Sequence, residues 1–131
     1  MSDLRFFFRP SAVAVIGASR EEEKPGHVIL ANFLENKRRG RFKGEVYAVN
    51  PFVDEILGVK TYPTVLDIPG EVDLGVIVVP AKVVPKVMED CGRKGVKGVI
   101  IISAGFSEIG NVKLEERVKE IAARYGVRIM G

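Results

Sequence analysis

The residues best suited to chemistry in this 131-residue chain fall into four short groups of small, turn-forming or polar types. They are Gly17-Ala18-Ser19-Arg20, with Lys24 close behind, then Asn50-Pro51, Pro80-Ala81-Lys82 and Ser103-Ala104-Gly105-Phe106. Glycine permits a sharp backbone turn and close approach, because it has no Cβ to forbid positive φ. Backbone N–H groups exposed by such a turn, together with the positive end of a following helix, suit a phosphate group. The chemistry on offer is therefore the binding of a phosphorylated ligand.

These groups need elements to bring them together, and the hydrophobic pattern supplies them. Five short apolar runs read as strands: Ala12–Ile16, Glu45–Val49, Leu74–Val79, Gly98–Ile102 and Val127–Met130. A further short strand is expected near Val59–Thr61, between the second and third of these. Ala12–Ile16 is apolar throughout and rich in β-branched residues, as a strand buried on both faces of a parallel sheet should be. Three amphipathic helices alternate with the strands. Lys24-Pro25-Gly26 opens the first, which carries Ile29, Leu30, Phe33 and Leu34; the second carries Val83, Val84, Val87, Met88 and Cys91; the third Leu114, Val118, Ile121, Ala122 and Tyr125. The expected fold is α/β, Rossmann-like and doubly wound, with a mainly parallel sheet of five to six strands and helices on both faces. In such a sheet ligands bind beyond the carboxyl ends of the strands. Each of the four polar groups directly follows a strand, so together they line one crevice.

Composition narrows the classes. Apolar residues make up 47% of the chain and mean hydropathy is +0.13, which fits a globular domain with a covered sheet. The longest apolar runs are too short to span a membrane, and Phe6-Phe7-Phe8 lacks the length of a signal peptide, so a cytoplasmic protein is expected. Net charge is +3, a weak pointer to nucleic acid. One cysteine, Cys91, and one histidine, His27, exclude an intramolecular disulfide and a cysteine-rich metal site. The absence of glutamine and the abundance of Lys, Arg and Glu resemble the surface of a thermophile protein.

Several residues that invite a functional reading have a simpler one. Cys91 lies on the apolar face of its helix and reads as a buried structural thiol. His27, near a helix N-terminus, reads as a surface or packing residue. The basic run Lys37–Lys43 reads as a solvated helix end, since cations followed by glycine are what the dipole and cap prefer. Asp67 and Asp73 are assigned no catalytic role. A nicotinamide cofactor is disfavoured. Gly17 and Ser19 occupy the first two positions of G-x-G-x-x-G, but Glu22 stands at the third, and Asn50 replaces the acid that would grip a ribose 2′-OH. Glu21-Glu22-Glu23 beside the loop would repel phosphate and are expected to face solvent.

The ordered segments carry a resemblance. Phe8-Arg9-Pro10-Ser11-Ala12-Val13-Ala14-Val15-Ile16-Gly17-Ala18-Ser19 resembles the opening of the CoA-binding domain of NDP-forming acyl-CoA synthetases. Gly44-Glu45-Val46-Tyr47-Ala48-Val49-Asn50-Pro51 is similar to that family's second strand, and Leu57–Val65 to the segment after it. Val72-Asp73-Leu74, leading into Val78-Val79-Pro80-Ala81, and Ser103-Ala104-Gly105-Phe106-Ser107-Glu108 are also similar, in the same order. ADP-forming acetyl-CoA synthetase, in its α subunit, is the nearer kind of member that the chain resembles, and succinyl-CoA synthetase α a more distant one.

The resemblance implies a single CoA-binding domain over residues 1–131, with coenzyme A as ligand. It implies that Gly17, Ala18, Ser19 and Arg20 contact the ADP-like part of CoA, that Val49, Asn50, Pro51, Val79, Pro80 and Ala81 flank the nucleotide, and that Ser103, Ala104 and Gly105 guide the pantetheine arm. Lys82, Arg20 or Lys24 would meet a CoA phosphate. Family members continue into a second domain with a phosphorylated histidine and work with an ATP-grasp partner. This chain stops at Gly131, so it is expected to be truncated from a longer synthetase and to bind CoA without catalysing a reaction alone. His27 sits too early to be the phosphorylated histidine. The expected partners are CoA or acyl-CoA and the remaining synthetase domains or an ATP-grasp subunit, with a homo-oligomer possible and no nucleic acid or membrane. Two other readings stay open: a stand-alone CoA-binding sensor or adaptor, and an NAD(P)-binding domain of a redox regulator.

Overall fold

A computed structural model describes residues 4–102 and 112–130. The chain begins with a single helical turn, α1 (Arg5–Phe8), and then enters the first strand, β1 (Ala12–Ile16). After it come α2 (Pro25–Arg38), β2 (Glu45–Val49), a hairpin of β3 (Glu55–Ile56) and β4 (Val59–Tyr62), and β5 (Leu74–Ile77). The described order closes with α3 (Val84–Lys94), β6 (Gly98–Ile101), α4 (Val112–Tyr125) and β7 (Arg128–Met130). The strands form one sheet in the order β3-β4-β2-β1-β5-β6-β7. All neighbours are parallel except β3 and β4.

The five main strands stand where hydrophobicity places them. The sheet has seven strands rather than five or six, because β4 is joined by the two-residue β3. The β3–β4 hairpin lies outside β2 at the sheet edge, and β5 follows β1 directly on its other side. β5 and β6 also end earlier than the apolar runs do, at Ile77 and Ile101.

β1 lies at the centre and all five of its residues are buried. Its side chains alternate between faces, as strand geometry demands. Ala14 and Ile16 join the core under α3 and α4, with Ile77, Val84, Met88, Cys91, Val118 and Ile121. Val13 and Val15 face the other way, into the clusters that include Leu30 and, half-buried, Ile29 and Phe33 of α2. Fully burying a side chain the size of Leu30 or Met88 stabilises the fold by about 1.5–3 kcal/mol. The helices are thus fixed to the sheet by their apolar stripes, on both faces.

Local chemistry sets the ends of the elements. Asp73 accepts hydrogen bonds from the Ser11 and Ala12 N–H groups, both at 2.8 Å, and so ties the start of β1 to the start of β5. Asp67 completes a capping box with Thr64. The basic run closes α2: Arg38 and Arg39 pair with Glu35, and Lys37 donates to the Gly44 carbonyl at 2.7 Å. Those two guanidinium groups hold the Glu35 carboxyl down to about 2. Phe42 of the same run packs edge-on against Phe33, with ring centroids 5.4 Å apart. The expected Glu115–Lys119 pair forms on α4 at 3.4 Å. No helix among the described residues is long and apolar enough to cross a membrane.

Candidate functional site

Sheet order locates the site. β2 lies on one side of β1 and β5 on the other, so the connections leaving β1 and β5 diverge and open a crevice at their carboxyl ends. The turn after β1 is pressed against the end of β5. Gly17 has φ +101°, and a Cβ there would lie 2.7 Å from the Val78 carbonyl carbon and 3.1 Å from Val79 Cγ1. Only glycine fits this position, on conformation and on space. Both the Gly17 and Ala18 N–H groups donate to the Val49 carbonyl, at 3.1 and 3.2 Å.

The first turn of α2 rests directly on this glycine turn. A Cβ on Gly26 would meet the Gly17 carbonyl oxygen and lie 3.0 Å from its carbonyl carbon and 3.3 Å from Ala18 Cα. Gly26 therefore does the work of the third glycine in a dinucleotide loop, the close seating of helix on strand. It stands nine positions after Gly17, with Ser19 to Lys24 looping out between them. At a spacing of nine rather than five residues from Gly17, Gly26 falls outside the G-x-G-x-x-G pattern. His27, one residue on, is half-buried and places Nδ1 2.9 Å from the Ser19 carbonyl oxygen. That oxygen can only accept, so Nδ1 carries the proton, and His27 pins the loop to the helix.

Asn50 locks the end of β2 to the same turn. Its Nδ2 donates to the Ala18 carbonyl at 2.9 Å, while its Oδ1 accepts the Phe52 N–H at 2.7 Å. An ionised aspartate at this position would have no donor for Ala18. The amide is therefore part of the scaffold, which explains physically why the acid of a nicotinamide site is missing. Pro51 and Phe52 follow at the rim, both exposed.

The other expected site residues divide by what their side chains reach. Ala18 and Val49 are 1% and 3% exposed and pack into the core, so they shape the crevice through their backbone. Ser19 accepts the Glu21 N–H on its hydroxyl at 3.0 Å. Arg20 donates from Nε to the Glu55 carbonyl at 2.8 Å, which leans it toward the β3–β4 hairpin. Lys24 pairs with Glu21 at 2.8 Å, and that hydrogen bond and charge raise its pKa. Glu22 and Glu23 are exposed, as expected. Val79 is half-buried, Pro80 is exposed, and Ala81 and Lys82 form the short 3-10 turn that leads into α3. Three of the four strand-end groups thus follow three neighbouring parallel strands, at one end of the sheet. Ser103, Ala104 and Gly105 lie outside the described residues.

Among the described residues no group of three or more His, Cys, Asp or Glu could hold a metal ion. Cys91 is fully buried, and desolvation, aided by the Asp90 charge, pushes its thiol up to about 12. At that value it is no nucleophile at neutral pH.

The chain is similar to known proteins along nearly its whole length. A family model described as "CoA binding domain" matches residues 11–131. An acetate–CoA ligase (ADP-forming) of Methanocaldococcus jannaschii is 52% identical over 129 residues, which are 98% of this chain and 18% of that protein. The α subunit of acetate–CoA ligase (ADP-forming) II of Pyrococcus furiosus is 48% identical over 130 residues, 98% of this chain and 27% of that one. Among solved structures, the apo form of the dinucleotide forming acetyl-coenzyme A synthetase 1 of Ca. Korarchaeum cryptofilum superposes with a TM-score of 0.90 at 47% identity. It is covered over 98% of this chain and 27% of its own. The chain thus spans between 18% and 27% of the length of these relatives.

Proposed function

The chain belongs to the CoA binding domain family, and on that premise we propose that it binds coenzyme A across the carboxyl ends of β1, β2 and β5, as the N-terminal part of an ADP-forming acyl-CoA synthetase. The observation that carries this reading is the interlocked turn. Gly17 is seated on Val78, Gly26 is seated on Gly17, and Asn50 bridges to Ala18. That construction brings a loop backbone and a helix N-terminus to one point, where a diphosphate needs donors. Because Gly17 and Ala18 spend their N–H groups on Val49, the donors for the ligand come from Ser19 onward. Arg20, Lys24 and Lys82 stand around the crevice as the charges for the CoA phosphates. The adenosine end lies between Asn50-Pro51 and Val79-Pro80-Ala81, and the pantetheine arm runs toward Ser103-Ala104-Gly105.

In this reading the chain holds and aims CoA while the bond-making steps belong to other parts of the synthetase. Those parts are the domain with the phosphorylated histidine and the ATP-grasp unit, its partners in interconverting acyl-CoA, ADP and phosphate with acid, CoA and ATP. His27 supports the loop and is not that histidine.

A thermal-shift titration followed by calorimetry tests the site. A ligand bound only by the folded state stabilises it by RT ln(1 + [L]/Kd), about 2.7 kcal/mol at a hundredfold excess over Kd. CoA is expected to raise Tm, NADH and ATP to do so less, and Gly17→Val, whose side chain would press into the Val78 carbonyl, to lower the ligand-free Tm and abolish the CoA response. A Tm unmoved by CoA, or a response to NADH alone, overturns the proposal.

A further inference from the structure

We propose that Phe52 is the platform on which the adenine base of the bound nucleotide stacks, an inference that rests on the CoA reading above. Phe52 is 90% exposed, the highest value among the large apolar side chains described. An unburied phenyl ring on a loose loop would mean little, but this ring sits on a fixed backbone. On one side its own N–H donates to Asn50 Oδ1 at 2.7 Å, and Asn50 in turn holds the Ala18 carbonyl at 2.9 Å. On the other side Val53 packs against the Val15–Leu30 cluster, and its carbonyl accepts the Thr61 hydroxyl. The Thr61 N–H donates to the Asp54 carbonyl at 2.9 Å. The segment from Asn50 to Asp54 is thus tied to the turn after β1, to β4 and to the core, and the Phe52 ring projects from it.

Position and chemistry then select the occupant. In a sheet of this topology the diphosphate lies at the β1 turn and the ribose beside the end of β2, which leaves the base next to whatever follows β2. Here the residue that would grip the ribose is Asn50, whose amide already holds the Phe52 N–H on its oxygen and the Ala18 carbonyl with its nitrogen. With no acid there to grip the ribose, an apolar face beside Asn50 would supply recognition at this end. A planar base has two faces to offer, and a phenyl ring two residues beyond Asn50 matches one of them.

The test compares CoA with 4′-phosphopantetheine, which keeps the thiol arm and one phosphate but lacks adenosine. Phe52→Ala is expected to weaken CoA about five- to a hundredfold, the range that loss of base stacking implies, and to leave 4′-phosphopantetheine affinity within about twofold. Since Phe52 is exposed, truncation is expected to leave folding intact. The chain contains no tryptophan, so Phe52→Trp introduces a single reporter. Its emission is expected to be quenched on adding CoA and to stay unchanged with 4′-phosphopantetheine. CoA affinity unaltered in Phe52→Ala, equal loss of both ligands, or Trp emission indifferent to CoA each overturns the stacking role while leaving the CoA reading in place. Failure of the unsubstituted chain to bind CoA overturns both.

Discussion

At the scale of single residues, the site is built by groups that give up their own ligand chemistry to hold the backbone in shape. Asn50 is the clearest case. Replacing its amide with a carboxylate sets two acceptors, the new oxygen and the Ala18 carbonyl, against each other at a distance now bridged at 2.9 Å. Asn50→Asp is therefore expected to cost about 1–3 kcal/mol, read as a lower midpoint in urea, and to weaken CoA binding measured by calorimetry. Unchanged stability would mean that the Ala18 contact contributes nothing. His27 and Ser19 follow the same pattern, since the imidazole holds the loop carbonyl and the hydroxyl takes the Glu21 N–H. The glycine turn itself was legible in the residues, because Gly17 ends an apolar run. The role of Gly26 was not, because close approach between two backbones is a property of packing and leaves no mark at a fixed spacing.

At the scale of elements, the β3–β4 hairpin shows where local propensity yields to tertiary demand. Its two-residue turn places Leu57 at φ +51° and Gly58 at φ +82°. Both central residues of such a turn need positive φ, and Asn-Gly is the pair that suits it. A leucine in that region costs roughly 1–2 kcal/mol, and Leu57, 49% exposed, recovers little by burial. Leu57→Asn is accordingly expected to stabilise the chain by about 1 kcal/mol, seen as a higher urea midpoint with an unchanged slope. A loss of stability would show that the leucine side chain packs more than its exposure indicates. The hairpin also escaped the strand pattern in part. β3 is two residues long, too short for any periodicity, and forms because the β4 backbone offers it an antiparallel partner.

At the scale of the whole molecule, burial falls off from the centre of the sheet to its edge. β1 is buried along its full length and bonded to β2 and β5, whereas all three residues of β7 are exposed. Native-state hydrogen exchange is expected to follow this gradient. The β1 amides should exchange only through global unfolding, and the β7 amides orders of magnitude faster, through local opening. Equal protection of the two strands would contradict the gradient. The sequence alone determined the α/β class, the five main strands, the three long helices and the glycine turn after β1, because each is written in short-range pattern: apolar runs, 3.6-residue periodicity, glycine and proline at the ends. The tertiary structure alone decided that the extra strand joins the sheet outside β2, that Gly26 completes the glycine turn, that the Asn50 amide holds backbone partners, and that Phe52 is left projecting at the rim. Each of these depends on which distant backbone groups become neighbours when the strands pair, and no local pattern encodes that.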